Sequence, residues 1–151
     1  MIQRFQSFMT AITICYKHLQ KIKSTEMTEY GLKGSHVMCL FFLHQHGEGL
    51  TAAQLCQLCA EDKAAISRNL ASLSKKGLIS ADETKKYRAL ITLTDKGEEI
   101  AKKLDGLIET WVEVVGKGLS NQDRAIFYHG LDVISTNLRE GAENLITTKG
   151  E

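Results

Sequence analysis

Residues 51–94 contain two short helix patterns with a tight turn between them. Two strand patterns follow, joined by a basic segment. Thr51 and Gln54 have the spacing of a capping box, which predicts the start of the first helix. Asp62 predicts the N-cap of the second helix. Gly77 predicts the end of that helix, because glycine readily adopts the left-handed conformation that follows a last turn.

The strand patterns lie at residues 78–81 and 88–93, and the polar residues 82–87 join them as a hairpin. Thr94 follows at once with the pattern of a cap for another helix. The order of these signals therefore limits the segment to two packed helices with a β-hairpin beside them.

Long helix patterns flank this segment, and the chain has no proline to interrupt them. Apolar residues recur at three- and four-residue steps over residues 3–23, which predicts an amphipathic helix, and the polar residues 24–34 predict a linker. Residues 36–46 are apolar on nearly every side and predict a buried helix. Further helices are predicted at residues 95–117 and 120–146. We expect a mainly α fold with a small β-hairpin, and a single domain over the whole chain.

The net charge is only +1, but the charge is unevenly distributed. Residues 62–88 contain seven Lys or Arg and three Asp or Glu, so that segment is at +4 and the remainder at −3. A basic segment on a mildly acidic body favours phosphate without binding every anion. No apolar run approaches the ~20 residues needed to cross a bilayer, so we expect a soluble cytoplasmic protein that does not bind a membrane.

The second short helix has one face suited to a nucleic-acid groove. On a helical wheel, Ile66, Leu70 and Leu73 form the packing face. The opposite face is small or cationic, which lets the backbone approach a groove while Arg68 reaches a base edge or a phosphate. An ordinary solvated cationic face is the alternative, and the neighbouring basic hairpin argues against it. The candidate DNA-binding residues are Lys63, Ala64, Ser67, Arg68, Ala71 and Lys75 on the helix, and Lys85, Lys86 and Arg88 on the hairpin.

The cysteine spacing Cys56-x-x-Cys59 raises metal and redox alternatives, with His44 and His46 as further ligand candidates. Zinc prefers four ligands and this pair supplies two, so we expect no metal site. A thiol-disulfide enzyme would need a βαβ context, which the predicted elements lack. We find no paired carboxylates, nucleophile–base set or glycine-rich phosphate loop, and therefore expect neither catalysis nor a cofactor.

Two segments resemble the MarR family of bacterial transcriptional regulators, which are winged helix-turn-helix proteins. They are DKAAISRNLASLSKKGLI at residues 62–79 and LITLTDKGEEIAKKL at residues 90–104, where Leu-Thr-x-x-Gly is typical after the family's wing. The order of helices also matches over nearly the whole chain. Residues 51–94 would then be the winged helix-turn-helix, residues 95–117 a connecting helix, and residues 3–23 and 120–146 the dimerisation helices.

The resemblance implies a homodimer whose two recognition helices enter successive major grooves about 34 Å apart. The apolar stripes of the terminal helices agree, because they exceed what one monomer could cover. The wing departs from the family pattern: Lys85 and Tyr87 stand where the family usually has Asp-x-Arg. Lys86 or Arg88 would then replace the wing arginine.

We therefore predict a sequence-specific double-stranded DNA-binding regulator, a homodimeric repressor relieved by a small, often aromatic, effector. Some relatives sense peroxides through a cysteine in the first helix, so redox sensing through Cys15 is one alternative. A winged-helix module that binds protein is another. The effector cleft would be lined by His36, Met38, Phe41, Phe42 and Trp111, although such a stripe is usually core.

Overall fold

The computed structural model describes residues 2–81 and 89–149, with side chains described up to residue 146. These residues form six helices and two strands. The elements are α1 (Ile2–Thr28), α2 (His36–Gln45), α3 (Ala52–Cys59), α4 (Lys63–Lys75), β1 (Ile79–Ala81), β2 (Ile91–Leu93), α5 (Asp95–Val115) and α6 (Asn121–Lys149). The predicted fold class, mainly α with a small β-hairpin, is confirmed. The chain divides into two compact units, residues 1–107 and 108–151.

The ends of α3 and α4 are formed by the residues that the sequence predicts. Thr51 and Gln54 make the complete capping box at the start of α3. At the start of α4, the Ala65 N–H donates to the Asp62 carboxylate at 2.7 Å. Gly77, with φ +69°, ends α4. The N–H groups of Gly77 and Leu78 reach back to carbonyl oxygens in the last turn, as in a Schellman motif.

The core of the first unit is built around α2, which is buried on several sides as its sequence predicts. Apolar side chains from α1, α3, α4 and the hairpin pack against it, and many are almost inaccessible to solvent. The side chains exposed by less than 2% include Met27, Leu40, Leu43, Leu55, Ile66, Leu73 and Leu78. Burial of the apolar face of α4 therefore fixes this helix on the core and leaves its opposite face directed outward.

Two predictions about local structure were wrong. The linker predicted at residues 24–34 begins late, because α1 continues to Thr28. Met27 is fully buried and attaches this extra turn to the core. The apolar spacing of α3 also predicts that Leu58 faces inward with Leu55, but Leu58 is 39% exposed.

The two strands pair antiparallel, with Ile79 opposite Leu93 and Ala81 opposite Ile91. Leu50, in the segment before α3, extends this small sheet, exchanging two backbone hydrogen bonds with Ile91 at 3.0 and 2.9 Å. No local sequence pattern predicts this pairing of Leu50 with Ile91. It holds the base of the hairpin against the start of α3.

Helices α5 and α6 also begin at side-chain caps. The Gly97 N–H donates to the Thr94 hydroxyl at 3.2 Å, and the Asp123 N–H donates to the Ser120 hydroxyl at 3.1 Å. Asp123 accepts hydrogen bonds from Ser120 in return, and these lower the pKa of its carboxyl group. Among the helices that the structure describes, none is both long and apolar enough to span a membrane.

Candidate nucleic-acid interface

The α4 helix presents the predicted face to solvent. Ile66 and Leu73 are 1% and 0% exposed and pack into the core, while Leu70 is half-buried. The outward-facing residues are thereby left accessible along the length of a well-anchored helix. The six α4 residues predicted to contact DNA are all exposed: Lys63, Ala64, Ser67, Arg68, Ala71 and Lys75.

The hairpin part of the predicted interface lies outside the described residues. Lys85, Lys86, Tyr87 and Arg88 all fall within residues 82–88. The described base of the hairpin, β1 and β2, nevertheless lies beside α4.

Asn69 was missed by the sequence analysis, and it holds α4 to the segment before α2. It is only 8% exposed. The Ser35 hydroxyl donates to the Asn69 Oδ1 at 2.9 Å, and the Asn69 Nδ2 donates to the Ser35 carbonyl oxygen at 3.1 Å. The sequence does contain a signal for this contact: the amide of Asn69 lies between Ile66 and Leu73 on the packing face of α4. A buried polar group there would be costly without a hydrogen-bond partner.

His36 fixes the backbone of the same segment. Its ring is 1% exposed, and its Nδ1 accepts a hydrogen bond from the Lys33 N–H at 3.0 Å. This bond requires Nδ1 to be unprotonated. Burial lowers the pKa of His36, and the nearby positive charges of Lys33 and Lys76 lower it further. A neutral imidazole therefore orders the turn from which Ser35 reaches α4.

Two depressions flank the exposed face of α4. One is a mostly apolar cleft of about 640 Å³ between α4, the start of α3 and the hairpin base, and Ser67 and Ala71 line it. The other is a polar groove of about 190 Å³, in which Arg68 and Lys33 are the cationic lining residues and Glu61 is the acidic one. The exposed face of α4 is thus a ridge with a cationic groove along one side.

The candidate metal and redox residues are not assembled as the sequence spacing implied. His44 contacts two carboxylates, Glu98 at 2.6 Å and Asp105 at 3.2 Å, and the ring of His46 contacts a carbonyl oxygen of its own helix. Within residues 2–81 and 89–149, no group of three or more His, Cys, Asp or Glu side chains is placed to hold a metal.

Among the cysteines, the Cys59 thiol contacts Cys39 from α2. Cys15, the residue of the redox-sensing alternative, is exposed on α1.

The candidate effector residues differ in their surroundings. His36 is buried and forms part of the wall of the polar groove. Met38, Phe41 and Phe42 are half-buried on α2, and the two phenyl rings contact edge to face at 5.3 Å. Trp111 is half-buried and belongs to the second unit. None of them lines the apolar cleft beside α4.

Comparison with known proteins connects this arrangement to one family. The sequence model of the MarR family matches residues 30–86, which contain α2, α3, α4 and β1. No curated protein matches the chain in sequence.

Solved structures resemble the chain over most of its length. One, from Listeria monocytogenes, is assigned to the MarR family transcriptional regulators and complexed with a 26mer DNA. It covers 87% of this chain and 89% of its own, with 21% identity and a TM-score of 0.80. The MepR–DNA complex of S. aureus covers 85% and 96%, with 16% identity and a TM-score of 0.78. The regulator SlyA covers 91% and 98%, with 21% identity and a TM-score of 0.78. These likenesses establish the winged helix-turn-helix fold that the sequence predicts.

Proposed function

We propose that this chain, which carries a MarR family domain over residues 30–86, is a transcriptional regulator that binds a specific double-stranded DNA sequence. The observation that carries the proposal is the exposed face of α4. That face combines small residues with Arg68 and Lys75, and the opposite face is anchored in the core. Small side chains allow the helix to enter a major groove, and a guanidinium can bind guanine N7 and O6 together.

The solved structures support the proposal through what they contain. Two proteins of the same fold, from Listeria monocytogenes and S. aureus, are described as DNA complexes. In a helix-turn-helix protein the second helix of the motif enters the major groove. In this chain that helix is α4, so the predicted contacts of Lys63, Ala64, Ser67 and Ala71 become proposed contacts with bases or phosphates.

We further propose that the regulator is a homodimer joined through α1 and α6. Each of these helices, taken by itself, exposes large apolar side chains along much of its length, and α6 has no buried residue among those described. Soluble monomers rarely leave contiguous apolar surface of this kind exposed, so a partner is expected to cover it. A two-fold dimer would present two α4 helices to half-sites about 34 Å apart.

The finer proposal is a cytoplasmic repressor that a small aromatic molecule releases. The half-buried aromatic face of α2, where Phe41 and Phe42 lie next to Met38, supports this proposal. Phenols and aromatic carboxylates are the probes to use. A probe that acts as the effector should weaken duplex binding progressively as its concentration is raised.

Selection of bound duplexes from a random pool tests the main proposal. We expect an enriched, inverted-repeat sequence with half-sites one helical turn apart. Its affinity should fall steeply as salt is raised, because phosphate contacts release counterions. An unenriched pool would overturn sequence-specific binding. If the chain is instead a protein-binding winged-helix module, no duplex will show salt-dependent affinity at all.

A further inference from the structure

Two cysteines from different helices meet inside the first unit. The Sγ atoms of Cys39 on α2 and Cys59 at the end of α3 are 4.0 Å apart. Cys39 is 1% exposed, whereas Cys59 is half-buried. The pair was hidden in the sequence, where Cys56 is the conspicuous neighbour of Cys59 and Cys39 is twenty residues away.

The two thiols share a hydrogen bond that makes them chemically unequal. The bond from Cys59 lowers the pKa of Cys39, even though burial opposes this. The same bond raises the pKa of Cys59, because losing its proton would leave two adjacent thiolates in a partly buried place. The Cys39 thiol is thus the more acidic of the two, and Cys59 is the more exposed residue.

Cys39 is also connected to the proposed recognition helix. The Asn69 side chain, which binds Ser35, lies near enough to Cys39 to lower the pKa of its thiol. Cys59, for its part, lies three residues before Asp62, whose carboxylate caps α4. Both sulfurs therefore adjoin groups that set the position of α4.

We propose that Cys39 and Cys59 are a redox pair, which a hydroperoxide converts into an intramolecular disulfide that weakens DNA binding. The hydroperoxide first transfers one oxygen to one sulfur of the pair, giving a sulfenic acid and an alcohol, or water from hydrogen peroxide itself. The other sulfur then attacks it, the S–S bond forms, and the sulfenic oxygen leaves as water together with the remaining thiol proton. Two thiols are oxidised by two electrons, and one peroxide is reduced.

Formation of the bond has a structural consequence at α4. A disulfide needs an S–S distance of about 2.0 Å, so the sulfurs must approach by about 2 Å. The end of α3, and with it the Asp62 cap, is drawn toward α2. Asn69 meanwhile faces a disulfide sulfur in place of the Cys39 thiol. We expect duplex affinity to fall by roughly threefold to tenfold, the range for losing one hydrogen bond of ordinary strength.

The test uses the full chain with Cys15→Ser and Cys56→Ser, which leaves only the proposed pair. Hydrogen peroxide should lower the mass by two hydrogens per chain, and peptide mapping should link Cys39 to Cys59. Dithiothreitol should restore both the mass and the duplex affinity. The matched controls, Cys39→Ala and Cys59→Ala in the same background, should show no affinity change on oxidation relative to their own reduced states.

The outcomes separate this inference from the proposed function on which its DNA-binding half rests. If the reduced protein binds no duplex, the proposed function fails, while mass and mapping still report on the disulfide. If the reduced protein binds DNA but peroxide gives no Cys39–Cys59 link, the redox pair is disproved. A link that leaves affinity unchanged would show that the two sulfurs do not communicate with α4, and would overturn the regulatory claim.

Discussion

Arg68 and Asn69 are adjacent in the chain and have opposite surroundings. Consecutive residues of a helix are separated by about 100° around its axis, so one can face solvent while the next faces the core. Arg68 is exposed, and Asn69 is 8% exposed and bonded to Ser35. The apolar stripe of the sequence predicts that Arg68 is exposed. The sequence could not predict the bond of Asn69, because Ser35 lies 34 residues away and only the tertiary fold brings it near.

Replacing Arg68 with alanine is expected to weaken operator binding by roughly 1–3 kcal/mol if the guanidinium contacts a base. The fold should be unaffected, because the side chain is exposed. Fluorescence anisotropy with the selected duplex measures the change, and Lys102→Ala supplies a control that removes an exposed cation from α5 instead. Equal affinities for wild type and Arg68→Ala would remove this residue from the interface.

His36 makes the stability of the fold depend on pH. Its folded-state pKa lies below the ordinary value of 6.5, chiefly because the ring is buried. As pH falls through the ordinary value, the unfolded chain takes up a proton that the folded chain does not. The free energy of unfolding should therefore decrease with falling pH, and the loss should be complete only below the folded-state pKa.

The variant His36→Asn isolates this contribution. An asparagine Oδ1 can accept the Lys33 N–H in place of Nδ1 and does not titrate. Urea unfolding between about pH 7.5 and pH 5, which brackets the ordinary histidine value, should show a shallower pH dependence for the variant than for wild type. Parallel curves for the two proteins would show that His36 does not contribute to the acid sensitivity.

At the level of elements, helix starts were predictable and one helix end was not. Caps such as Thr51 and Asp62 act through bonds within three residues, so the local sequence contains the whole signal. The extension of α1 beyond residue 23 depends on Met27 reaching the core, which is a tertiary interaction. The polar residues of that turn fit the helix because hydroxyls can bond to a preceding carbonyl, as Thr28 does with Ser24 at 2.9 Å.

The Leu-Thr-x-x-Gly sequence has a physical role where α5 begins. The Thr94 N–H donates to the Leu78 carbonyl oxygen at 3.1 Å, and the Thr94 hydroxyl donates to the Gly77 carbonyl oxygen at 2.7 Å. Gly97 lies against the same stretch of backbone, and a Cβ there would overlap the Leu78 carbonyl oxygen. The motif thus joins the start of α5 to the turn that follows α4.

Gly97→Ala should therefore lower the free energy of unfolding, by about 1–3 kcal/mol as for other overpacked sites. Gly106→Ala, in the same helix, is the matched control, because a Cβ there meets no other atom within 4 Å. That substitution should stabilise the protein by about 0.5–1 kcal/mol, since alanine favours a helix interior. Urea unfolding measures both. If the free energy of unfolding changed in the same direction in both variants, the close contact at Gly97 would be contradicted.

For the whole molecule, the exposed apolar surface is the feature that one chain does not explain. On α1 the exposed apolar side chains follow one stripe, which includes Phe5 at 66%, Ile12 at 41% and Leu19 at 50%. In α6, Phe127 and Leu138 are 54% and 60% exposed. The sequence predicted both stripes from their periodicity. Periodicity alone cannot say what covers a stripe, because core and interface residues follow the same spacing.

Ile12→Glu should separate the subunits of the proposed dimer. Two symmetry-related carboxylates would be buried in an apolar interface, and the monomer should dominate in light scattering, where wild type should show twice the chain mass. Thr10→Glu adds the same charge away from the apolar stripe of the same helix and should remain dimeric. The separated subunits should also bind a single half-site as well as they bind the inverted repeat, because the second contact is no longer intramolecular. If Ile12→Glu remains dimeric and still prefers the inverted repeat, the subunits associate through some other surface.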